Sequence, residues 1–323
     1  MSTIAVDAMG GDSAPEEVVK GAILAKKEGV DVILSGDENL IKSYLGNEKI
    51  PVINYPQVIS MDDDPAKAIR SNKDSSIIGA LNLVKEKKAD AVFSAGSTGA
   101  TLIGAISVLG KIKGVTRPTI ASVLPGKEKE VILVDSGANL EVKPKVLYQF
   151  AIMGSKLSEL LFDIENPRIG LINNGDESSK CRELEKATFK LLKSSQLNFI
   201  GNVEGKDFAN SKVDVFVTDG FTGNVVLKTL QGVAKLQQDL ISKSLKENLF
   251  KPLLIPVKNA ISPVKSMLNP NSTNGSYLLG VNGLVIIGHG SSNSEAIKNA
   301  LLFTSRAVEK RFINKFTEVS SEL

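Results

Sequence analysis

The sequence is short of the residues that usually announce chemistry. Its 323 residues hold one cysteine, one histidine and no tryptophan. A lone Cys181 excludes a disulfide framework and fits a reducing cytoplasm. A lone His289 excludes the common His-rich zinc sites, though not an oxygen-liganded cation. Aromatic residues make up 5% of the chain, too few for a platform on which nucleobases stack. No run approaches the roughly 20 unbroken apolar residues of a transmembrane helix. Residues 1–7 carry neither a basic leader nor an apolar signal core. Thirty-nine Lys and Arg against 36 Asp and Glu leave +3, too slight to demand nucleic acid as a partner.

What is present is ordinary for a folded protein, 42% apolar and 23% charged, with length enough for one large domain or two modest ones. Short β-branched runs recur at residues 4–6, 32–34, 52–55, 91–93, 120–123, 131–134, 169–172, 199–200, 213–217 and 284–287. Several are apolar on both faces, as strands covered by helices on each side must be. Helical stripes lie between many of them, for example Val146, Leu147, Phe150, Ala151, Leu157, Leu160 and Leu161. Ser13-x-x-Glu16 and Ser292-x-x-Glu295 have the form of capping boxes. This alternation predicts a three-layer αβα fold with a doubly wound, mostly parallel sheet. Residues 232–273 are the exception. Val233, Leu236, Leu240, Ile241, Leu245 and Leu249 form a helical face, two prolines break it, and Ile261, Val264, Met267 and Leu268 resume it. The pattern predicts a helical hairpin inserted before the last strand, with an apolar tip.

In open parallel sheets ligands bind beyond the carboxyl ends of the strands. Six loops at such ends are rich in glycine and small polar residues: 7–12, 94–99, 135–139, 173–176, 219–224 and 288–292. Glycine lets backbone approach a ligand, and N–H groups at helix starts attract anions. Any one such loop is an ordinary turn; six on one rim predict a cleft for an oxyanion, most simply phosphate. P-loop, dinucleotide and serine-hydrolase motifs are all missing.

The loops also resemble a family. Ile4-Ala-Val-Asp-Ala-Met-Gly-Gly-Asp12, Ser94-Ala-Gly-Ser-Thr-Gly-Ala100, Arg117-Pro118, Asp219-Gly-Phe-Thr-Gly-Asn-Val-Val-Leu-Lys228 and Gly280-Val-Asn-Gly-Leu-Val-Ile-Ile-Gly-His-Gly290 resemble the bacterial phosphate acyltransferases of phospholipid synthesis, in order and over nearly the whole chain. The resemblance implies one such domain over residues 1–323 and a fold similar to phosphotransacetylases and to isocitrate and isopropylmalate dehydrogenases. It implies that inorganic phosphate attacks a fatty acyl thioester on acyl carrier protein, with no metal or organic cofactor. It also implies a homodimer, and loose membrane association that hands acyl phosphate to a membrane glycerol-3-phosphate acyltransferase. Two positions depart from the pattern: Ser97 stands where the family has Asn, and Cys181 where it has Gly.

On that basis Lys180, Asn224 and Asp219 are the candidate catalytic residues. Lys180 is read as a phosphate clamp or a solvated lysine, Asn224 as an amide donor or a helix N-cap, and Asp219 as an orienter of either or a turn carboxylate. Asp7, Gly10, Gly11, Gly96, Ser97, Thr98, Gly99, Asn139, Gly223, Asn282 and His289 are the candidate substrate contacts. His289 is a weaker catalytic candidate, because phosphate is largely dianionic near neutral pH and a thiol leaves without a strong acid. Cys181 is not expected to carry the acyl group. Asp64 before Pro65 reads as an N-cap rather than part of a metal cluster. The hairpin is expected to pack a dimer, or to dip its tip (Phe250, Leu253, Leu254, Ile255 and Val257) into a bilayer while Lys251, Lys258 and Lys265 meet anionic head groups, or to do both. Lys67, Arg70 and Lys73 are candidates for a rim that docks the acidic carrier. The rival readings are a short-chain phosphotransacetylase using acyl-coenzyme A, a metal- and nicotinamide-dependent dehydrogenase, and a non-catalytic scaffold.

Overall fold

Every β-branched run read from the sequence contains a strand or lies within one. The computed structural model describes residues 2–175, 177, 180–247 and 275–321. The hairpin tip, with Phe250, Leu253, Leu254, Ile255 and Val257, lies outside the described residues, as do Lys251, Lys258, Lys265 and the whole second half of the hairpin. An eleven-stranded sheet runs in the order β3-β2-β1-β4-β11-β10-β5-β6-β9-β7-β8. Its first half is β1 (Thr3–Asp7), β2 (Asp31–Gly36), β3 (Val52–Asn54), β4 (Ala91–Ser94) and β11 (Leu284–Ile287), all mutually parallel. Its second half is β6 (Val131–Val134), β7 (Ile169–Ile172), β8 (Phe199–Val203) and β9 (Val215–Val217), again mutually parallel. Between them stand β5 (Thr119–Leu124) and β10 (Ser276–Leu279), with β11–β10, β10–β5 and β5–β6 all antiparallel.

Three successive reversals leave the two halves running in opposite directions. The expected single rim of six loops is therefore corrected. Loops after β1, β4 and β11 sit at one end of the sheet, and loops after β6, β7 and β9 at the other. Strand β10 was not foreseen, because Ser276-Tyr-Leu-Leu279 carries no β-branched residue.

Helices cover both faces. On one, α1 (Glu16–Lys27) packs on α9 (Ser294–Glu309), and α6 (Pro144–Phe162) on α7 (Glu183–Lys193). On the other, α4 (Ser76–Lys85) packs on α5 (Thr98–Leu109), and α3 (Pro65–Ser71) on α5. Asp64 caps α3 by accepting from Lys67 N at 2.8 Å, with Pro65 in the first turn, as expected. Neither foreseen capping box forms: α1 begins after Pro15 with no side-chain cap, and Asn293 rather than Ser292 caps α9. Helix α8 (Gly220–Glu247) differs most from expectation. It is one 28-residue helix that starts twelve residues before the expected hairpin and runs through Gly232. Its Val233, Leu236 and Leu240 form an exposed apolar stripe, continued by Val225 and Phe221. None of the described helices is long and apolar enough to cross a membrane.

Candidate active site

The sheet reversal puts a cavity of about 300 Å³ on the face where the two halves meet. Its floor is Ile120, Ser122 and Leu124 of β5, alternate residues that share one face, with Ser276 of β10 and Ile287 of β11 beside them. Asn224, Leu227, Lys228 and Gln231 of α8 form another wall, at the spacing of one helix face. Because α8 starts at the loops of the second half and runs across the sheet, it links the two ends: Asn224 stands by Gly137 and Lys228 reaches His289. Thr98, the first residue of α5, and His289, from the loop after β11, complete the lining.

At the first-half end, Lys228 Nζ lies 3.5 Å from His289 Nε2. The backbone N–H of Ser291 donates to His289 Nδ1 at 3.3 Å, and the Ser291 hydroxyl lies 2.8 Å from the same atom. An acceptor at Nδ1 leaves the proton of the neutral ring on Nε2. The ammonium and the Nε2–H are then both donors, close together at a cavity wall, an arrangement that an oxyanion completes. Burial, and then the Lys228 ammonium, hold His289 below the usual imidazole range, with Asp12 opposing.

At the second-half end the first turn of α8 is seated without side chains between it and the neighbouring loop. A Cβ on Gly220 would stand 2.7 Å from Asn139 N and O, and Gly220 N donates to Asn139 O at 2.8 Å. The loop itself is knitted by Asp135, which is fully buried. Its Oδ1 accepts from Gly137 N and Ala138 N at 2.9 and 2.8 Å, and its Oδ2 from Asn139 N and Nδ2, both at 2.8 Å. Burial pushes the Asp135 carboxyl up, against these donors. Asp135 and Lys228 were not among the candidate site residues. The signal for Lys228 was its i+4 spacing from Asn224.

The remaining candidates fall in several places. Asp7, Gly10, Gly96 and Ser97 surround a separate space of about 10 Å³. Asp7 is buried, accepting from Ser94 Oγ at 2.6 Å and Met9 N at 3.3 Å, and burial raises its carboxyl. It binds two loops together rather than facing the cavity beside α8. Ser97 caps α5 through Ala100 N, Gly99 packs on Pro65, and Gly11 lies against the Gly290 carbonyl. Asn139 holds Asp135 and the Pro118 carbonyl.

Asn282 stands at the far end of β11 from His289, donating to Leu109 O and Lys111 O, and leaves the site. Lys180 does not line the cavity either. It is exposed and pairs with Glu177 at 3.0 Å. Asp219 orients neither Lys180 nor Asn224 directly: it accepts from Arg182 and caps α8 through Thr222 N at 2.8 Å. Asn224, inside the helix, is no N-cap. Cys181 Sγ faces Asn173 Nδ2, and Lys67, Arg70 and Lys73 are exposed. Among the described residues no group of three His, Cys, Asp or Glu side chains is placed to hold a metal ion.

A three-layer α/β protein with a donor-lined cavity at a sheet reversal has the fold of the phosphotransacetylases. The structure matches a phosphotransacetylase from Streptococcus pyogenes with a TM-score of 0.60 at 18% identity, covering 95% of this chain and 94% of that one. The family model described as "Fatty acid synthesis protein" matches residues 2–315. Proteins named phosphate acyltransferase are similar throughout: that of Halothermothrix orenii is 42% identical over 320 residues, 96% of each chain. That of Pelotomaculum thermopropionicum is 44% identical over 319 residues, 96% of this chain and 92% of its own. The chain belongs to the phosphate acyltransferase family of fatty acid synthesis proteins.

Proposed function

We propose that this enzyme transfers a fatty acyl group from the thioester of acyl carrier protein to inorganic phosphate, which binds where Lys228 and His289 converge. The observation that carries the placement is the pair of donors 3.5 Å apart. Two phosphate oxygens accept from the Lys228 ammonium and the His289 Nε2–H, and Asn224, one turn earlier on the same wall, offers an amide to the thioester or to a third oxygen. A phosphate oxygen attacks the carbonyl carbon of the thioester, a carbon–oxygen bond forms, the carbon–sulfur bond breaks, and the proton of monohydrogen phosphate passes to the departing thiolate. Neither a strong base nor a strong acid is required, so the side chains act by position and charge. Ile120, Leu124 and Leu227 offer an apolar continuation for the acyl chain. Carrier thiol release that depends on phosphate and falls at least tenfold in Lys228→Met supports this placement; an unchanged rate in that variant removes it.

The exposed stripe of α8 supports a homodimer, since Phe221, Val225, Val233, Leu236 and Leu240 are each about half exposed on one face, at 61, 52, 46, 58 and 56%. Membrane contact through Leu254 and its neighbours rests on the sequence: the tip is apolar, and no acidic residue occurs between Glu247 and Glu295. Transfer of the acyl phosphate to a membrane glycerol-3-phosphate acyltransferase fits that contact. Leu254→Glu then lowers liposome binding while turnover in solution persists, and equal liposome binding by both forms ends this reading.

A further inference from the structure

We propose that Arg182 is a positioning residue of this site, a clasp that fixes the first turn of α8 and with it Asn224 and Lys228. The inference rests on the acyl-transfer reading above. Arg182 Nε donates to both carboxylate oxygens of Glu185, at 3.0 and 3.1 Å, and Nη2 donates to Glu185 Oε1 and to Asp219 Oδ2. Both carboxylates are buried, at 4 and 3% exposure, whereas the arginine side chain is largely open to solvent. One guanidinium thus holds together two buried acids that would otherwise repel. Lysine cannot replace it, because a point ammonium lacks the planar fork that serves both at once.

The consequence runs through Asp219. Its Oδ1 accepts from Thr222 N at 2.8 Å and its Oδ2 from Thr222 Oγ1 at 3.2 Å, so the carboxylate that Arg182 holds is also the cap of α8. From the opposite side, the 135–139 loop fixes the same turn through Gly220 and Gly223. Asn224 is the next residue and Lys228 stands one turn further. Arg182 also ends the segment that carries Lys180 and Cys181, so that segment and α8 share one anchor.

The test uses the full chain with Arg182→Ala, Arg182→Lys and the control Lys186→Ala, which removes the exposed Glu183–Lys186 pair of α7. We expect kcat/KM for phosphate to fall about a hundredfold in Arg182→Ala, the usual effect of a small misplacement of reacting groups. Added guanidinium restores part of it, Arg182→Lys is little better than Arg182→Ala, and Lys186→Ala matches the parent. The double variant Arg182→Ala/Asp219→Asn loses no more than Asp219→Asn alone. Parent-like kinetics in Arg182→Ala, or losses that multiply in the double variant, overturn the clasp. If Arg182→Ala does not fold, Arg182→Lys decides, and parent-like kinetics there overturn it. A second readout needs no turnover. The titration midpoint of His289 rises in Arg182→Ala as Lys228 moves away, and an unmoved midpoint counts against the clasp. A parent without phosphate-dependent turnover contradicts the acyl-transfer reading instead.

Discussion

A Cβ atom on Gly223 would stand 1.8 Å from the carbonyl oxygen of Asp135, so the first turn of α8 lies directly on the backbone of the 135–139 loop. No alanine fits there without moving one of the two. Gly223→Ala is expected to cost about 1–3 kcal/mol of stability, the usual range for overpacking. It should also lower turnover by displacing Asn224. Urea unfolding measures the first effect, and parent stability in the variant would show that the contact yields easily.

The single histidine makes the anion site directly observable, because one imidazole signal needs no assignment. Burial and Lys228 hold the His289 midpoint below 6.5 in the free protein. Phosphate bound between the two groups favours the charged ring, so saturating phosphate raises the midpoint. In Lys228→Met the free midpoint rises and the phosphate response shrinks. A midpoint that ignores phosphate argues against binding at this place.

Asp7 gives a pH dependence with a definite sign. Its folded carboxyl is raised above the ordinary 3.8 by burial, so the folded state holds its proton more tightly than the unfolded chain. The stability it contributes is complete below 3.8 and is lost as pH rises through the folded value. Asp7→Asn removes this loss. Melting temperatures taken from about pH 4 to 8 should fall less with rising pH in the variant than in the parent. Parallel curves would contradict the assignment.

The apolar stripe of α8 predicts that Leu236→Glu, with Leu240→Glu, converts a dimer to a monomer in sedimentation. The parent is expected to sediment as a dimer, and a variant that sediments like the parent would count against the stripe as a dimer contact.

Most strands were legible because their β-branched runs stand out, and the central ones, such as β4, β6, β7 and β11, are buried on both faces. Strand β10 was not, because Ser276, Leu278 and Leu279 give no β-branched signal, yet that strand reverses the sheet and decides which loops share an end. His289 was legible as a glycine-flanked polar residue at a strand end, and Asn224 as the polar residue after Gly223 in a loop read from the sequence, although it lies in the first turns of α8. Lys228 was hidden within a helix, where a lysine at i+4 looks like any solvated residue until His289 is placed opposite it. Arg182 was hidden for another reason: its partners Asp219 and Glu185 lie on two elements that only the sheet brings together. Asn282 was carried by motif likeness alone, and the antiparallel β10 puts it at the opposite end from His289.

Formation of acyl phosphate is the decisive measurement for acyl transfer to phosphate by this chain. The purified protein is given a fatty acyl thioester of acyl carrier protein, or the matching coenzyme A thioester, with and without labelled phosphate, and the label that enters acyl phosphate is followed together with free thiol. Acyl phosphate and free carrier thiol should appear in equal amounts, only when phosphate is present, and faster from the carrier than from coenzyme A. Coenzyme A as the better donor would favour the short-chain phosphotransacetylase reading, and no acyl phosphate from either donor would contradict the central claim.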